Sequence, residues 1–361
     1  MLRHLAIATT LAVFTAPAIA APAAMPRYAH IFVIIEENHN FDHIIGARVA
    51  ANFNRLAKQY SLATNFYAES HPSAPDYIAI LGGDTFGVRD DDAPYCRPKS
   101  TRAGCENSGD EGYVDHTIAA RSLVDQLNER ALTWKGYFED IPSPGSDADR
   151  WPSSHAPVAG QPNGLYAVKH NGFMYFKSVQ DDPRRAEKLV GFDALERDIA
   201  AGALPNYAHI VPNQCNDMHG LRGENVPEDC DKGNDPAMIA RADRQLGELV
   251  GKILASKQWN GPENNALVIT FDEDAGWRLD GHAAGCCGSV AGDPNNPGGG
   301  WIPTIVITNH GPRGIVDGAP YNHYSLLRTT EDAFGIAEHL GHAADEAKGV
   351  VAMTPLFAAG K

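Results

Sequence analysis

Two pairs of oxygen-bearing side chains lie beyond two strongly apolar segments of the sequence. Glu37-Asn38 closely follows "HIFVII" at 30–35, and Asp272-Glu273 directly follows "ALVITF" at 266–271. Carboxylate and amide oxygens are the ligands that hard divalent cations take in proteins. The two pairs therefore predict two halves of one cation site. Taken singly, each pair could instead cap a helix or face water.

A serine opens the apolar helical stretch in "AESHPSAPDYIAILGG" at 68–83. Ser73 would meet backbone N–H donors and the positive end of the helix dipole, which suits a phosphoryl group. A nearby divalent cation would lower the pKa of its hydroxyl and make it a nucleophile. The alternative is an ordinary N-cap serine, although Asp76 completes no good capping box.

The elements that position these residues alternate along the chain. Apolar segments predict strands at 30–35, 62–68, 206–211, 266–271 and 304–308, and helical patterns cover 49–60, 74–82, 117–130, 236–256 and 324–334. In the longest helix we expect Asp235 as the cap and Pro236 as the first helical residue. Such alternation indicates an α/β three-layer sandwich with a largely parallel central sheet covered on both faces. Ligands bind beyond the carboxyl ends of such strands, which is where both pairs fall.

The N-terminal segment predicts where the protein is located, and the net charge limits the classes of partner it could bind. Residues 1–20 have an arginine, an apolar core and a small-x-small end, which predicts a signal peptide and a periplasmic or secreted protein. We expect one catalytic domain over 21–361, because no convincing linker and no later membrane-spanning stretch is found. The net charge of -15 argues against nucleic acid or an anionic membrane as partner, but not against a small anionic substrate.

Six cysteines in an exported chain make disulfides plausible. Cys96 with Cys105 and Cys215 with Cys230 would each close a short loop. Cys286 and Cys287 are adjacent and fit a vicinal bridge or two separate partners, so the pairing stays open. The long irregular segments 84–116 and 280–302 are expected to be functional or held by disulfides.

Five blocks of the sequence together resemble a known family. "EENHNFDHIIG" at 36–46 resembles the "ENxSFDHxxG" opening motif of the phosphoesterase family that contains bacterial acid phosphatases and phospholipases C. "SHPSAPDYIAILGG" is similar to the nucleophile segment of that family, and to the Thr/Ser-x-Pro-Asn turn of nucleotide pyrophosphatase-type members of the alkaline phosphatase superfamily. "VPNQCNDMHG", "VITFDEDAG" and "YNHYSLLRTTEDAFGI" resemble further blocks in the expected order. The resemblance implies an alkaline-phosphatase-like fold and a phosphoric ester hydrolase.

The resemblance also implies roles for individual residues. The metal ligands would be Glu37, Asn38, Asp272 and Glu273, together with Ser73, which would also be the phosphoryl-accepting nucleophile. Asp217 and His219 would line the site as further ligands or as contacts to the transferred phosphate. The divalent cation could be calcium, magnesium or manganese, and the histidine leaves zinc or iron open.

The sequence departs from the family pattern in three places. Asp274 stands where a histidine is usual, and the following "DH" is stretched to "DGH", so that His282 becomes the candidate contact to the leaving group or phosphate. Asp76 replaces the common asparagine of the nucleophile turn and would hydrogen-bond phosphate well only if protonated or bridged by metal. His323 lies before the last long helix and has no assigned role.

The remaining histidines have simpler interpretations. His39 and His43 flank the opening motif and are expected to support it or lie on a helix surface. His71 could reach the site or pack in its own turn. No pattern of partners surrounds the others, which we interpret as structural: His155, His170, His209 and His310.

These observations favour a metal-dependent acid phosphatase that acts on a small phosphomonoester, with the acidic pH range expected from the resemblance alone. A phospholipase C-type phosphodiesterase is the alternative, and a non-catalytic, metal-stabilised binding protein is less favoured. A sulfatase is excluded because Ser73-Ala74-Pro75 is not followed by the arginine of the Cys/Ser-x-Pro-x-Arg motif.

Overall fold

The computed structural model describes residues 24–275, 284–290, 293 and 295–358. The predicted signal peptide at 1–20 and His282 lie outside this part of the chain. The strands are β1 (His30–Glu36), β2 (Ser61–Tyr67), β3 (Trp134–Phe138), β4 (Arg150–Trp151), β5 (Tyr166–Ala167), β6 (Leu189–Val190), β7 (Tyr207–Val211), β8 (Asn265–Phe271), β9 (Trp301–Thr308), β10 (Ile315–Asp317) and β11 (Tyr321–Asn322).

Helices connect these strands. They are α1 (Phe41–Ile44), α2 (Ala51–Gln59), α3 (Ser73–Gly82), α4 (Leu123–Glu129), α5 (Lys177–Gln180), α6 (Arg185–Lys188), α7 (Phe192–Ala201), α8 (Asp235–Ala255), α9 (His323–Phe334) and α10 (Thr354–Phe357). Short 3₁₀ turns lie at Val168–His170, Gly172–Tyr175, Glu228–Cys230, Gly341–Ala344 and Glu346–Lys348.

A mostly parallel sheet forms the centre of the fold. Its described strands run in the order β10-β2-β9-β8-β1-β7-β3-β6, with β11 paired to β2. Strand β9 is antiparallel to both of its neighbours, and the other pairs are parallel. Every residue of β8 is buried, so both faces of the sheet are covered. Helix α2 packs against α8, and α3 packs against α9. The predicted α/β architecture is confirmed.

Two helix predictions need correction. The helix expected over 117–130 begins only at Leu123, because Ser122 is its N-cap and forms a capping box with Asp125. Helix α8 begins one residue earlier than expected: Asp235 is its first residue, and Asn234 occupies the cap position.

Three disulfides hold the long connections. Cys96–Cys105 lies in the irregular segment after α3, Cys215–Cys230 follows β7, and Cys286–Cys287 is a vicinal bridge. Of the alternatives left open by the sequence, the structure contains the vicinal one. None of the helices in the described residues combines the length and the apolar character needed to cross a membrane.

Candidate active site

The two oxygen-bearing pairs meet because β1 and β8 are parallel neighbours whose last residues pair directly. The backbone N–H of Asn38 donates to Asp272 Oδ1 at 3.0 Å, and its side-chain Nδ2 donates to Glu273 Oε1 at 2.5 Å. Asn38 adopts the left-handed conformation, with φ of 46°, which asparagine tolerates better than most residues. That turn places Glu37 in the same buried edge of the sheet.

Ser73 is the first residue of α3 and lies between the two pairs. Its Oγ is 3.3 Å from Glu37 Oε2 and 3.4 Å from Glu273 Oε1. Pro72 occupies the N-cap position, and no side chain hydrogen bond caps the helix there. The ordinary N-cap interpretation of Ser73 is therefore wrong. Its buried hydroxyl faces the carboxylates instead, and Tyr77, one turn along α3, donates to Glu37 Oε1 at 2.6 Å.

The segment after β7 brings Asp217 and His219 to the same place. The carbonyl oxygen of Asp217 accepts from the backbone N–H of Glu37 at 2.7 Å, and its Oδ1 accepts from the N–H of His219 at 2.7 Å. His219 Nδ1 lies 2.8 Å from the carbonyl oxygen of Gly220. A proton on Nδ1 satisfies that carbonyl and leaves Nε2 as an acceptor or ligand.

His170 belongs to the site, so its interpretation as a structural histidine is corrected. Its Nε2 lies 3.2 Å from Glu37 Oε1, and its Nδ1 lies 3.6 Å from Asp217 Oδ2. Ligand atoms of Glu37, His170 and His219 lie within 4.8 Å of one another. The ring stacks on Tyr77 with a centroid separation of 5.4 Å. Packing in the aromatic core and contact with the carboxylates are thus combined in one side chain.

Lys169, which the sequence did not single out, brings an ammonium group to Ser73. Its Nζ lies 2.9 Å from Asp91 Oδ2, 3.4 Å from His219 Nε2 and 3.5 Å from Ser73 Oγ. Burial alone would lower its pKa, but Asp91 and Glu37 outweigh burial and raise it. The ammonium form is retained. Asp91 comes from segment 84–116, whose length and composition were the one sequence signal for it.

The pKa values of these buried side chains are shifted in the way expected of a site that a cation would neutralise. Burial, followed by the charges of Asp272 and Asp217, raises the pKa of Glu37 well above its usual value, and burial likewise raises the pKa of Asp217 and Asp272. Burial and Lys169 lower the pKa of His170, which keeps it neutral.

Buried atoms without a hydrogen bond also indicate whether these side chains could bind a metal ion. Among the described residues, four buried atoms of the proposed ligands make no hydrogen bond: Asp217 Oδ2, Asp272 Oδ2, Glu273 Oε2 and His170 Nε2. Glu273 Oε2 is paired with His71, and His170 Nε2 lies 3.2 Å from Glu37 Oε1. Acidic oxygens and a neutral imidazole nitrogen left in this way are the donor set that a divalent cation requires. The residues present therefore fit the metal that the sequence implied.

His71 and Asp274 form an outer layer. His71 Nδ1 pairs with Glu273 Oε2, and its Nε2 is 3.4 Å from Asp274 Oδ1. Burial alone would lower the pKa of His71, but its hydrogen bonds with Asp274 and Glu273 raise the pKa to about 10. Of the two alternatives for His71, contact with the site is confirmed. Asp274 therefore holds His71 as an ion-pair partner.

His323 forms a second buried cluster with Glu69 and Asp76. Its Nδ1 lies 2.5 Å from Glu69 Oε2, and its Nε2 lies 2.9 Å from the carbonyl oxygen of Phe271. Both ring nitrogens thus face acceptors, as an imidazolium requires, and neither keeps a lone pair for a metal. Asp76 Oδ1 accepts from the backbone N–H groups of Glu69 and Ser70, so it holds the turn before Ser73 in place.

An open cavity of about 530 Å³ leads to these groups. Asn38, Ser73, Lys169 and His219 line it, and Met218 and Met238 add apolar surface. His39 and His43 also line it, and His39 Nδ1 lies 2.9 Å from the carbonyl oxygen of Glu37, in agreement with a supporting role. The volume lies in the range typical of small-molecule sites.

A serine at a helix N-terminus, beside clustered carboxylates at the edge of a mostly parallel sheet, is an arrangement that suits a phosphoric ester hydrolase of the α/β class. The chain belongs to the Phosphoesterase family, whose sequence profile matches residues 47–337. Family membership sets aside the non-catalytic binding protein.

Named relatives agree with this class. Phosphatidylinositol-3-phosphatase of Mycobacterium tuberculosis is 27% identical over 88% of this chain and 80% of its own length. A phosphate-repressible acid phosphatase of Penicillium chrysogenum is 26% identical over 87% of this chain, which spans only 60% of the fungal enzyme. A crystal structure from Vibrio parahaemolyticus in the alkaline phosphatase superfamily is similar in fold, with a TM-score of 0.52 and 12% identity over 87% of this chain and 68% of that one.

Proposed function

We propose that this protein is an exported, metal-dependent acid phosphatase that hydrolyses small phosphomonoesters through a phosphoserine at Ser73. The observation that carries the proposal is the position of the Ser73 hydroxyl. It caps no helix and instead lies 3.3 Å and 3.4 Å from two buried glutamates. A structural metal site would have no need of a hydroxyl in that position.

The residues that would hold the cation are Glu37, Asn38, Asp272 and Glu273, together with the Oγ atom of Ser73. Asp217, His170 and His219 would supply further ligands or contact the phosphate. The cation would lower the pKa of the serine hydroxyl and offset charge on the transferred phosphoryl group. Its identity stays open among calcium, magnesium, manganese, zinc and iron.

The side chains of the protein would then support two successive substitutions at the phosphorus atom. Ser73 Oγ forms a bond to phosphorus as the bond from phosphorus to the leaving oxygen breaks. The serine proton passes to the carboxylate that accepts its hydrogen bond and from there, through solvent, to the leaving oxygen, which departs as an alcohol. Water then forms a bond to phosphorus, the bond to Oγ breaks, and the serine regains a proton as phosphate leaves. At the start of α3, Pro75 carries no N–H and the N–H of Ala74 donates to Asp91 Oδ1 at 3.1 Å, so the backbone N–H of Ser73 would be the contact to a phosphoryl oxygen.

The choice of a monoester over a diester is supported by the two relatives given above, both of which are named as phosphatases. A phospholipase C-type phosphodiesterase would use the same nucleophile with another leaving group. No feature of the described cavity favours it.

His282 is still proposed as a contact to the leaving group, and residues 21–361 are proposed as one catalytic domain. Three disulfides and the predicted signal peptide support export to an oxidising compartment.

The test is hydrolysis of an aryl phosphomonoester by the purified protein. We expect chelation to abolish activity and Ser73→Ala to lower kcat by at least about a thousandfold, because the nucleophile itself is lost. The matched control is Ser122→Ala. This serine is a true N-cap of α4, so its loss should lower stability by about 1 kcal/mol and leave kcat unchanged.

The phosphoserine is tested directly by acid quench and peptide mass spectrometry, which should find phosphate on Ser73 of the wild type. Full activity in Ser73→Ala, or a phosphate trapped on another residue, would refute the assignment. Cell fractionation that found the protein in the cytoplasm would refute the proposed export.

A further inference from the structure

Lys169 brings an ammonium group close to Ser73 in the cavity. Its Nζ approaches Ser73 Oγ to 3.5 Å, His219 Nε2 to 3.4 Å and Asp91 Oδ2 to 2.9 Å. The 3₁₀ turn Val168–His170 presents this side chain. A phosphorus atom bonded to Ser73 Oγ would bring its non-bridging oxygens within reach of the ammonium group.

Asp91 links this ammonium to the helix that carries the nucleophile. While Oδ2 pairs with Lys169, Oδ1 accepts from the backbone N–H of Ala74 at 3.1 Å. One carboxylate therefore fixes both the lysine and the first turn of α3. The lysine side chain is 17% exposed and that of Asp91 is 31% exposed, so the pair lies at the inner end of the open cavity.

The geometry points to Lys169, positioned by Asp91, as the residue that selects phosphate monoesters over diesters. This inference rests on the proposed function and adds the means of substrate selection. A monoester carries a second negative charge near neutral pH, whereas a diester carries only one. In the monoester the second anionic oxygen accepts a charge-assisted hydrogen bond from Nζ.

A diester places an esterified, uncharged oxygen in the position facing the lysine. Such an oxygen is a weak acceptor, and its substituent would displace the ammonium from Asp91 or His219. A buried ammonium that loses a partner is unfavourable, and sites built around such a donor discriminate strongly against an analogue that lacks the acceptor. The lysine therefore rejects diesters as well as attracting monoesters.

The experiment compares kcat/KM for an aryl phosphomonoester and a bis-aryl phosphodiester in the metal-loaded enzyme. We expect Lys169→Met to lower the monoester-to-diester ratio by about 10- to 100-fold, the range for one hydrogen bond to a charged group. Lys169→Arg keeps the charge and should retain most of the ratio. Asp91→Asn keeps an acceptor for Ala74 but loses the ion pair, so its ratio should fall between the two.

Lys177→Met is the matched control. Lys177 also pairs with an aspartate, at 2.7 Å from Asp181 Oδ2, but both side chains are more than half exposed. Its removal should leave both rates unchanged. If Lys169 only supports the fold, Lys169→Met will lower both rates by the same factor, and the unchanged ratio overturns the inference.

A binding measurement separates this inference from the proposed function. Calorimetry with inorganic phosphate and with dimethyl phosphate should show that Lys169→Met weakens the binding of phosphate selectively. A wild type that hydrolyses neither ester would refute the proposed function, yet the calorimetric comparison would still test the lysine. Equal weakening for both ligands, or none, would refute its role in selection.

Discussion

His323 should be a positioning residue whose replacement weakens both the fold and the proposed cation site. The change is His323→Ala. It removes an imidazolium that lies 2.5 Å from Glu69 Oε2 and 3.7 Å from Asp76 Oδ1, with all three side chains fully buried. It also removes the hydrogen bond to the carbonyl oxygen of Phe271 at 2.9 Å, and Phe271 directly precedes Asp272.

The size of the effect follows from the pKa of His323. Burial alone would lower it, but the charges and hydrogen bonds of Glu69 and Asp76 raise it from 6.5 to about 10. At 1.36 kcal/mol per pH unit, this difference corresponds to roughly 5 kcal/mol below pH 6.5 and about 4 kcal/mol at pH 7, and it is lost as the pH rises through 10. Removing one partner of a buried ion pair typically costs about 3–5 kcal/mol, which agrees. Loss of a residue that orients ligands should in addition weaken cation affinity by about 10- to 100-fold.

Two measurements at pH 7 check this prediction. Urea unfolding gives the change in free energy of unfolding, and calorimetric titration of the folded, metal-stripped protein gives the cation affinity. His339→Ala is the control, because His339 pairs with Asp332 at 2.8 Å while both side chains are partly exposed. We expect it to cost less than about 1 kcal/mol and to leave cation affinity unchanged. A His323 variant that matched this control in both measurements would refute the reasoning.

Two further predictions concern pH and the disulfide beside the site. Burial raises the pKa of Glu331 from 4.5 to about 7, so its contribution to stability is present below pH 4.5 and is lost as the pH rises through 7. Glu331→Gln should therefore gain up to about 3 kcal/mol over the wild type between pH 5 and 8 in urea unfolding, and parallel pH profiles would contradict this. Replacing Cys215 and Cys230 by serine opens the loop that carries Asp217 and should cost about 3 kcal/mol. Phosphatase activity should fall while circular dichroism still shows a folded protein, and unchanged activity would contradict the role of the bridge in holding this loop.

The sequence was sufficient for those site residues that follow strands of the sheet. Asp272 and Glu273 come after β8, and Glu37 and Asn38 come after β1. Parallel neighbours end at the same edge, so an apolar run followed by polar residues was enough to predict that the four side chains meet. The same logic applied to Ser73 at the start of the helix after β2.

The rest could not be predicted because it enters the site from irregular segments. Lys169 and His170 lie in a 3₁₀ turn directly after the two-residue strand β5. In such a short segment no periodicity shows which way a side chain points. His170 was misassigned for a related reason: its partners are 133 residues before it, at Glu37, and 47 residues after it, at Asp217. Such pairings depend on how long connections fold back over the sheet, which local patterns do not contain.

The same geometry explains how an acidic protein can bind an anionic substrate. The net charge of the chain is -15, and the site itself holds four buried carboxylates at its centre, those of Glu37, Asp217, Asp272 and Glu273. Burial raises the pKa of these four groups, so bound protons, together with Lys169 and the protonated His71, offset part of this charge. A phosphate would be repelled by the charge that remains, so in the proposed mechanism a bound cation would serve binding as well as chemistry. Since Lys169 keeps its charge in the presence of these carboxylates, it supplies a fixed positive charge, and the proposed cation would supply a second one when it binds.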